Sequence, residues 1–123
     1  MHFQQNSQVD ARSVQSIEGQ KTTGAFLVKL LMSGEKMVLL EIRASTGVAS
    51  DIHVHSHESV IYVISGKLST TIDDHPFFLN PGDVCRHPSM TFHSVKALAD
   101  TVFIEVKSPP PSMDSVMGWG GSP

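Results

Sequence analysis

With 123 residues and a formal net charge of −3, the chain suffices for one domain with its own core and falls short of two, a domain taking about 100–200 residues. Its longest unbroken apolar run is Val60–Ile64, against the roughly 18 residues of a membrane span, and no cluster of Lys and Arg could track a phosphate backbone. Membrane and nucleic acid are thereby excluded as partners, and the polar opening residues 1–13, lacking the apolar stretch of a secretory signal, lead to the expectation of a cytoplasmic protein.

Residues 1–23 read as a Gln/Ser/Thr-rich leading segment. From Gly24 onward, short apolar stretches alternate with turn residues, the mark of an all-β domain. Ala25–Met32 and Lys36–Ala44 form a first expected hairpin around Ser33-Gly34-Glu35, with Gly34 supplying the positive φ of a tight turn. Further strands are expected at Asp51–His55, Ser59–Ser65, Lys67–Ile72, Pro76–Leu79, Asp83–His87, Phe92–Ala97 and Thr101–Lys107. Between them stand Gly66, Asp73-Asp74, Asn80-Pro81-Gly82, Pro88 and Ala99-Asp100, all turn formers. This places a β-domain at 24–107. Residues 108–123 form a Pro/Gly-rich tail in which Val116, Met117 and Trp119 are candidate anchors on the body or on a neighbouring subunit.

Cys85 is the single cysteine, so neither an intrachain disulfide nor a Cys-rich zinc site can form. A free Cys on a strand is most simply a small buried hydrophobe. Histidine is the residue in excess, with seven in the chain, and His53, His55, His57, His75, His87 and His93 stand close together in sequence. His53, His55 and His57 occupy alternate positions, and along a straight strand alternate side chains leave on one face. Two imidazoles so placed can reach one ion, and a strand pairing across a closed barrel would bring His93 to it. His75 follows a hairpin tip and is expected to be exposed, while His87, separated from His93 by Pro88, is expected to be structural or to line the mouth.

The spacing around these histidines resembles both sequence motifs of the cupin family over Gly47–His93. Gly47, His53, His55 and Gly66 fall on the positions of the first motif, and Gly82, Pro88 and His93 on those of the second. Three positions depart: Ser59 stands where the family has a metal-binding Glu, Met90 where it has the second Gly of the second motif, and Ala97 where it has Asn. The resemblance implies a cupin-type jelly-roll β-barrel, usually a homodimer, with one divalent transition metal ion held by His53, His55 and His93. Fe(II) is the favoured ion, with Zn, Ni or Mn as alternatives.

A fourth ligand then has to come from elsewhere. His57 and Glu58 are the candidates, although Glu58 is one residue out of phase and needs a turn to re-aim it. If Ser59 faces the ion, Ile61 and Val63 line the cavity by parity. Arg43 either faces solvent with Glu41 or reaches the barrel mouth to bind a substrate carboxylate or enolate. The ligand set is similar to that of three-His non-haem dioxygenases acting on small oxygen-containing molecules. A metal-dependent isomerase or lyase and a non-catalytic small-ligand-binding cupin are the competing readings.

Overall fold

The computed structural model describes residues 1–17 and 20–112. The candidate anchors Val116, Met117 and Trp119 lie outside the described residues. After a 3-10 turn at Asn6–Gln8 come ten strands: β1 (Arg12–Ile17), β2 (Gln20–Ser33), β3 (Val38–Ala44), β4 (Ala49–Ser50), β5 (Glu58–Ser65), β6 (Leu68–Ile72), β7 (His75–Leu79), β8 (Val84–His87), β9 (His93–Ala97) and β10 (Thr101–Ser108). They pair antiparallel in the order β7-β6-β9-β4-β2-β3-β10-β5-β8, with β1 added beside β2. The result is a nearly closed β-barrel. Among the described residues no helix is long and apolar enough to cross a membrane.

The long strand β2 carries the chain from one sheet to the other. Thr22 and Thr23 pair with β4, whereas Phe26–Ser33 pair with β3. Between these stretches lies Gly24 at φ 73, where a Cβ would sit 3.0 Å from Val48 Cγ2. A side chain would crowd that corner, and glycine lets the strand bend through it. Strand β1 and the start of β2 both fall within residues 1–23, and they pair with each other through Ser16 with Lys21 and Ile17 with Gln20. The leading segment therefore contributes paired strands as well as an extended N-terminus.

Turn chemistry accounts for most of the connections. Asp73 and Asp74 both have positive φ, 49 and 65, as a two-residue hairpin loop between right-twisted strands requires. The first hairpin forms where expected, but its turn is closed by Gly34 N–H donating to Met37 O at 2.7 Å, and Gly34 is not among the glycines at positive φ. A loop of four residues reverses the chain without needing the two-residue geometry.

The core gathers Val14, Phe26, Val28, Leu40, Ile42, Ala44, Val48, Ile61, Val63, Leu68, Leu79, Ala97 and Phe103. Inward positions run in rows across neighbouring strands. Ile42, Phe103 and Val63 make one apolar row across β3, β10 and β5. Two steps along each strand the row is Leu40, Glu105, Ile61 and Cys85, and two further it is Val38, Lys107, Ser59 and His87. The barrel interior thus passes from hydrocarbon to charge within three rows, and the polar end holds the histidines.

Candidate metal centre

The expected strand at Asp51–His55 does not form. After Ala49–Ser50 the chain is irregular as far as Glu58, apart from a single bridge in which His53 N–H donates to His93 O and His93 N–H donates to His53 O, each at 2.9 Å. The alternation survives without the ladder. His53 and His57 are buried and His55 half-buried, while Ile52 and Val54 are exposed. Here the imidazoles take the inner face and the aliphatic side chains the outer one.

His53, His55 and His93 each bring a ring nitrogen within 4.8 Å of the other two. Ring centroids lie 4.3 Å apart for His53 and His93, 4.6 Å for His55 and His93, and 5.3 Å for His53 and His55. In all three rings Nδ1 meets a backbone carbonyl: Asp51 O at 2.7 Å for His53, His57 O at 3.1 Å for His55 and Thr91 O at 3.1 Å for His93. A carbonyl only accepts, so Nδ1 carries the proton and the lone pair of each neutral imidazole is on Nε2. That is the arrangement in which a histidine is oriented and made more basic toward a metal. Burial lowers the pKa of His55 and of His93 to about 4 each, so both are uncharged near neutrality. The donor set fits a borderline divalent transition ion.

The candidates for a fourth ligand separate cleanly. Glu58 points outward from β5, half exposed, and pairs with Arg86 at 3.3 Å, because strand parity gives the inner face to Ser59. His57 lies parallel against His55 at 3.7 Å and is buried. Burial first, and then the Lys107 charge, lower its pKa to about 3.

Ser59 is buried on the inner face. Its hydroxyl lies 3.4 Å from His87 Nδ1 and favours the charged form of the Glu105 carboxyl. Ile61 lines the cavity beside the histidines. Val63, also inward, belongs to the apolar row beyond it. Arg43 does not reach the cavity. It sits on the outer face of β3, largely exposed, bonded to Glu41 at 3.1 Å.

His87 is fully buried, stacked on His93 at 4.2 Å. Thr70 Oγ1 donates to Ser94 O at 2.9 Å, so it accepts from His87 Nε2–H, 2.8 Å away. This fixes the tautomer with the Nδ1 lone pair toward Ser59. His75 is exposed at its hairpin. Cys85 is half-buried, and burial together with the Glu105 charge raises its thiol to about 12. It is inert.

Two residues not singled out from the sequence complete the site. Glu105 and Lys107 follow one another on the inner face of β10, 9% and 4% exposed. Burial alone would raise the Glu105 carboxyl, but the Lys107 ammonium, aided by His87 and the Ser59 hydroxyl, holds it below the ordinary carboxylate range. A signal was present in Thr101–Lys107, where every second residue is Thr, Phe, Glu or Lys. The intervening Val102, Ile104 and Val106 resemble a core face, and the structure turns them outward.

His53, His55, His87 and His93 share with Glu105 and Lys107 a cavity of about 40 Å³ walled by Phe26, Leu40, Ile42, Ile61 and Phe103. At about 10–15 Å³ per water, that is space for a few waters or one small molecule.

Solved structures share this architecture. An RmlC-like cupin from Shewanella frigidimarina superposes with a TM-score of 0.80 at 20% identity, covering 91% of this chain and 94% of that one. KdgF from Halomonas gives 0.79 at 23%, with 91% and 96% covered. A predicted oxalate decarboxylase from Thermotoga maritima gives 0.77 at 17%, with 88% and 99% covered. No curated protein matches the sequence significantly. The family model for the cupin domain matches residues 39–106, more than half of the chain. With the barrel, the paired histidine loops and this match in agreement, the chain belongs to the cupin family.

Proposed function

We propose that the protein is a metal-dependent enzyme acting on a small oxygen-containing organic molecule, with the chemistry of a three-His non-haem dioxygenase. The supporting observation is the common orientation of His53, His55 and His93, each held through Nδ1 by a backbone carbonyl with the Nε2 lone pair left for an ion, at a cavity walled by hydrocarbon together with Glu105 and Lys107. A structural site would close its coordination sphere with four protein ligands. Here Glu58 turns away, His57 lies outside the group of close ring nitrogens and Ser59 replaces the longer acid. When bound, a divalent ion at these imidazoles supplies a Lewis acid and, as Fe(II), redox chemistry with O2.

The chain's own residues do the rest. The apolar walls keep bulk water from the reacting group, which strengthens every electrostatic contact inside. Thr70 holds His87, and His87 supports the His93 ring from one side. On this reading the protein works on its small-molecule substrate as a cytoplasmic homodimer.

A second reading, an isomerase or lyase using Zn, Ni or Mn, is favoured by the charged pair Glu105 and Lys107 within the same cavity. The Thermotoga maritima neighbour, described as a predicted oxalate decarboxylase, points the same way. Elemental analysis of protein purified without chelator, alongside His53→Ala, separates these readings. About one equivalent of iron, lost in the variant, with oxygen uptake on diketones or thiols, supports the dioxygenase. Zinc, nickel or manganese without oxygen uptake supports the second reading. No metal in either protein, even after reconstitution, overturns both and leaves a ligand-binding cupin.

A further inference from the structure

We infer that Lys107 is the anion-binding residue of the cavity, and that the ligand is a small organic acid whose carboxylate meets the Lys107 ammonium while its neighbouring oxygen faces the three imidazoles. This assignment deepens the metal-enzyme reading and rests on it for the second half of the geometry.

Among the described residues lining the cavity, Lys107 is the cation and Glu105 the anion, and the other walls are hydrocarbon or imidazole apart from Ser50. Burying an ammonium is costly, and Glu105 two positions along the same face offsets that cost. A charged pair in a barrel interior is nevertheless no more stabilising than two well-packed apolar side chains. The pair is thus poorly explained as packing and well explained as a binding element. An ammonium has three donors, so Lys107 can keep Glu105 and accept a ligand anion together.

Position and space agree with this. Register sets Lys107 directly opposite Ser59 on β5, and Ser59 opposite His87 on β8. Position 59 is where the cupin motif has its acid. Serine there adds no second carboxylate to compete for the ammonium. His53, His55, His87 and His93 line the same cavity as Lys107. The alternative cation, Arg43, lies outside the barrel. The small volume admits an acid of a few heavy atoms rather than an aromatic one.

The test is calorimetric titration of wild type, His53→Ala, Lys107→Met and the double variant Glu105→Gln/Lys107→Met, each metal-free and loaded with Mn2+. The probes are pyruvate and 2,3-butanedione, an uncharged diketone of similar size. Wild type is expected to prefer pyruvate, and Lys107→Met to lose about tenfold or more in pyruvate affinity, the worth of one hydrogen bond to a charged group. Butanedione affinity should stay within about twofold, and Mn2+ should bind the variant no more weakly than wild type, because a cation has left the cavity. If Lys107→Met does not fold because Glu105 is left unpaired, the double variant removes both charges and carries the comparison.

Pyruvate binding equally to wild type and to the folded Lys107 variant overturns the assignment, as does preference of wild type for butanedione or absence of pyruvate binding in both metal states. Failure of Mn2+ to bind wild type any better than His53→Ala overturns the metal reading instead. In that case, pyruvate binding by the metal-free protein that depends on Lys107 would still uphold the anion site.

Discussion

His53 and His93 are joined by two reciprocal backbone hydrogen bonds of 2.9 Å, so residues 40 positions apart stand directly opposite one another. The same bridge brings their rings edge to face at 4.3 Å. The candidate metal centre is therefore built on a backbone clamp and does not rely on side-chain reach alone.

From this clamp, His53→Ala and His93→Ala should each remove an oriented donor while the carbonyl partners and the bridge persist. Metal affinity is expected to fall by more than the about 10–100-fold typical of losing an outer partner. His75→Ala, exposed on its hairpin, should retain full metal content. Elemental analysis of the three variants checks this, and equal retention in all would remove the ligand assignment.

The metal-free protein should be labile to acid. Burial lowers His57 to about 3, and burial with the His93 charge lowers His87 to about 3, whereas an unfolded imidazole titrates near about 6.5. Between these values the unfolded chain binds protons that the folded one does not, so stability falls as pH falls. Each residue contributes about 1.4 kcal/mol per pH unit in that window, about 3 kcal/mol for the two. His55 and His93 act in the same direction down to about 4. Glu105, held low, adds stability that is present above its unfolded pKa and lost as pH falls through its folded value. Urea midpoints measured from pH 7.5 down to about pH 5 should drop steeply. A flat profile would show that the histidines are not buried as neutral groups.

Met90 occupies the left-handed region at φ 58, 69% exposed, with its N–H donating to His55 O at 2.8 Å. The backbone here keeps the conformation for which the cupin motif has glycine, although the side chain has changed. Such a conformation costs a non-glycine residue about 1 kcal/mol. Met90→Gly should raise stability by about that amount or slightly less, glycine having more unfolded-state freedom to lose, and metal content should not change. Thermal melts decide it, and a lower Tm would mean that the Met90 side chain contributes more than its exposure suggests.

Two motif glycines should respond differently to the same change. At Gly66 a Cβ would sit 2.2 Å from Asp100 O, whereas at Gly82 nothing lies within 4 Å, and both have φ near 90. Gly82→Ala should cost about 1–2 kcal/mol, from the backbone conformation alone. Gly66→Ala must also push apart the turn at Asp100 and should cost more than about 4 kcal/mol or prevent folding. Denaturant midpoints of the two variants compare these directly.

Most of the strands were legible from local chemistry, because alternation and turn residues act over a few positions. The pairing of Asp73 with Asp74 and the glycines at 66 and 82 dictate turns whatever surrounds them. The histidine spacing likewise announced a cluster that could hold an ion, since Gly47, His53, His55 and His93 keep a pattern that needs no coordinates to recognise.

What local chemistry misdirects is the sense of inside and outside near the site. Ile52, Val54, Val102, Ile104 and Val106 carry the aliphatic side chains of their segments, yet the imidazoles, Glu105 and Lys107 take the inner face. A hydrophobic pattern indicates the inner face only where the interior is hydrocarbon, and at this end of the barrel it is not. Which charged residues share a cavity depends on register between strands distant in sequence. Lys107 meets Ser59 because β10 pairs with β5, and no spacing along the chain encodes that meeting.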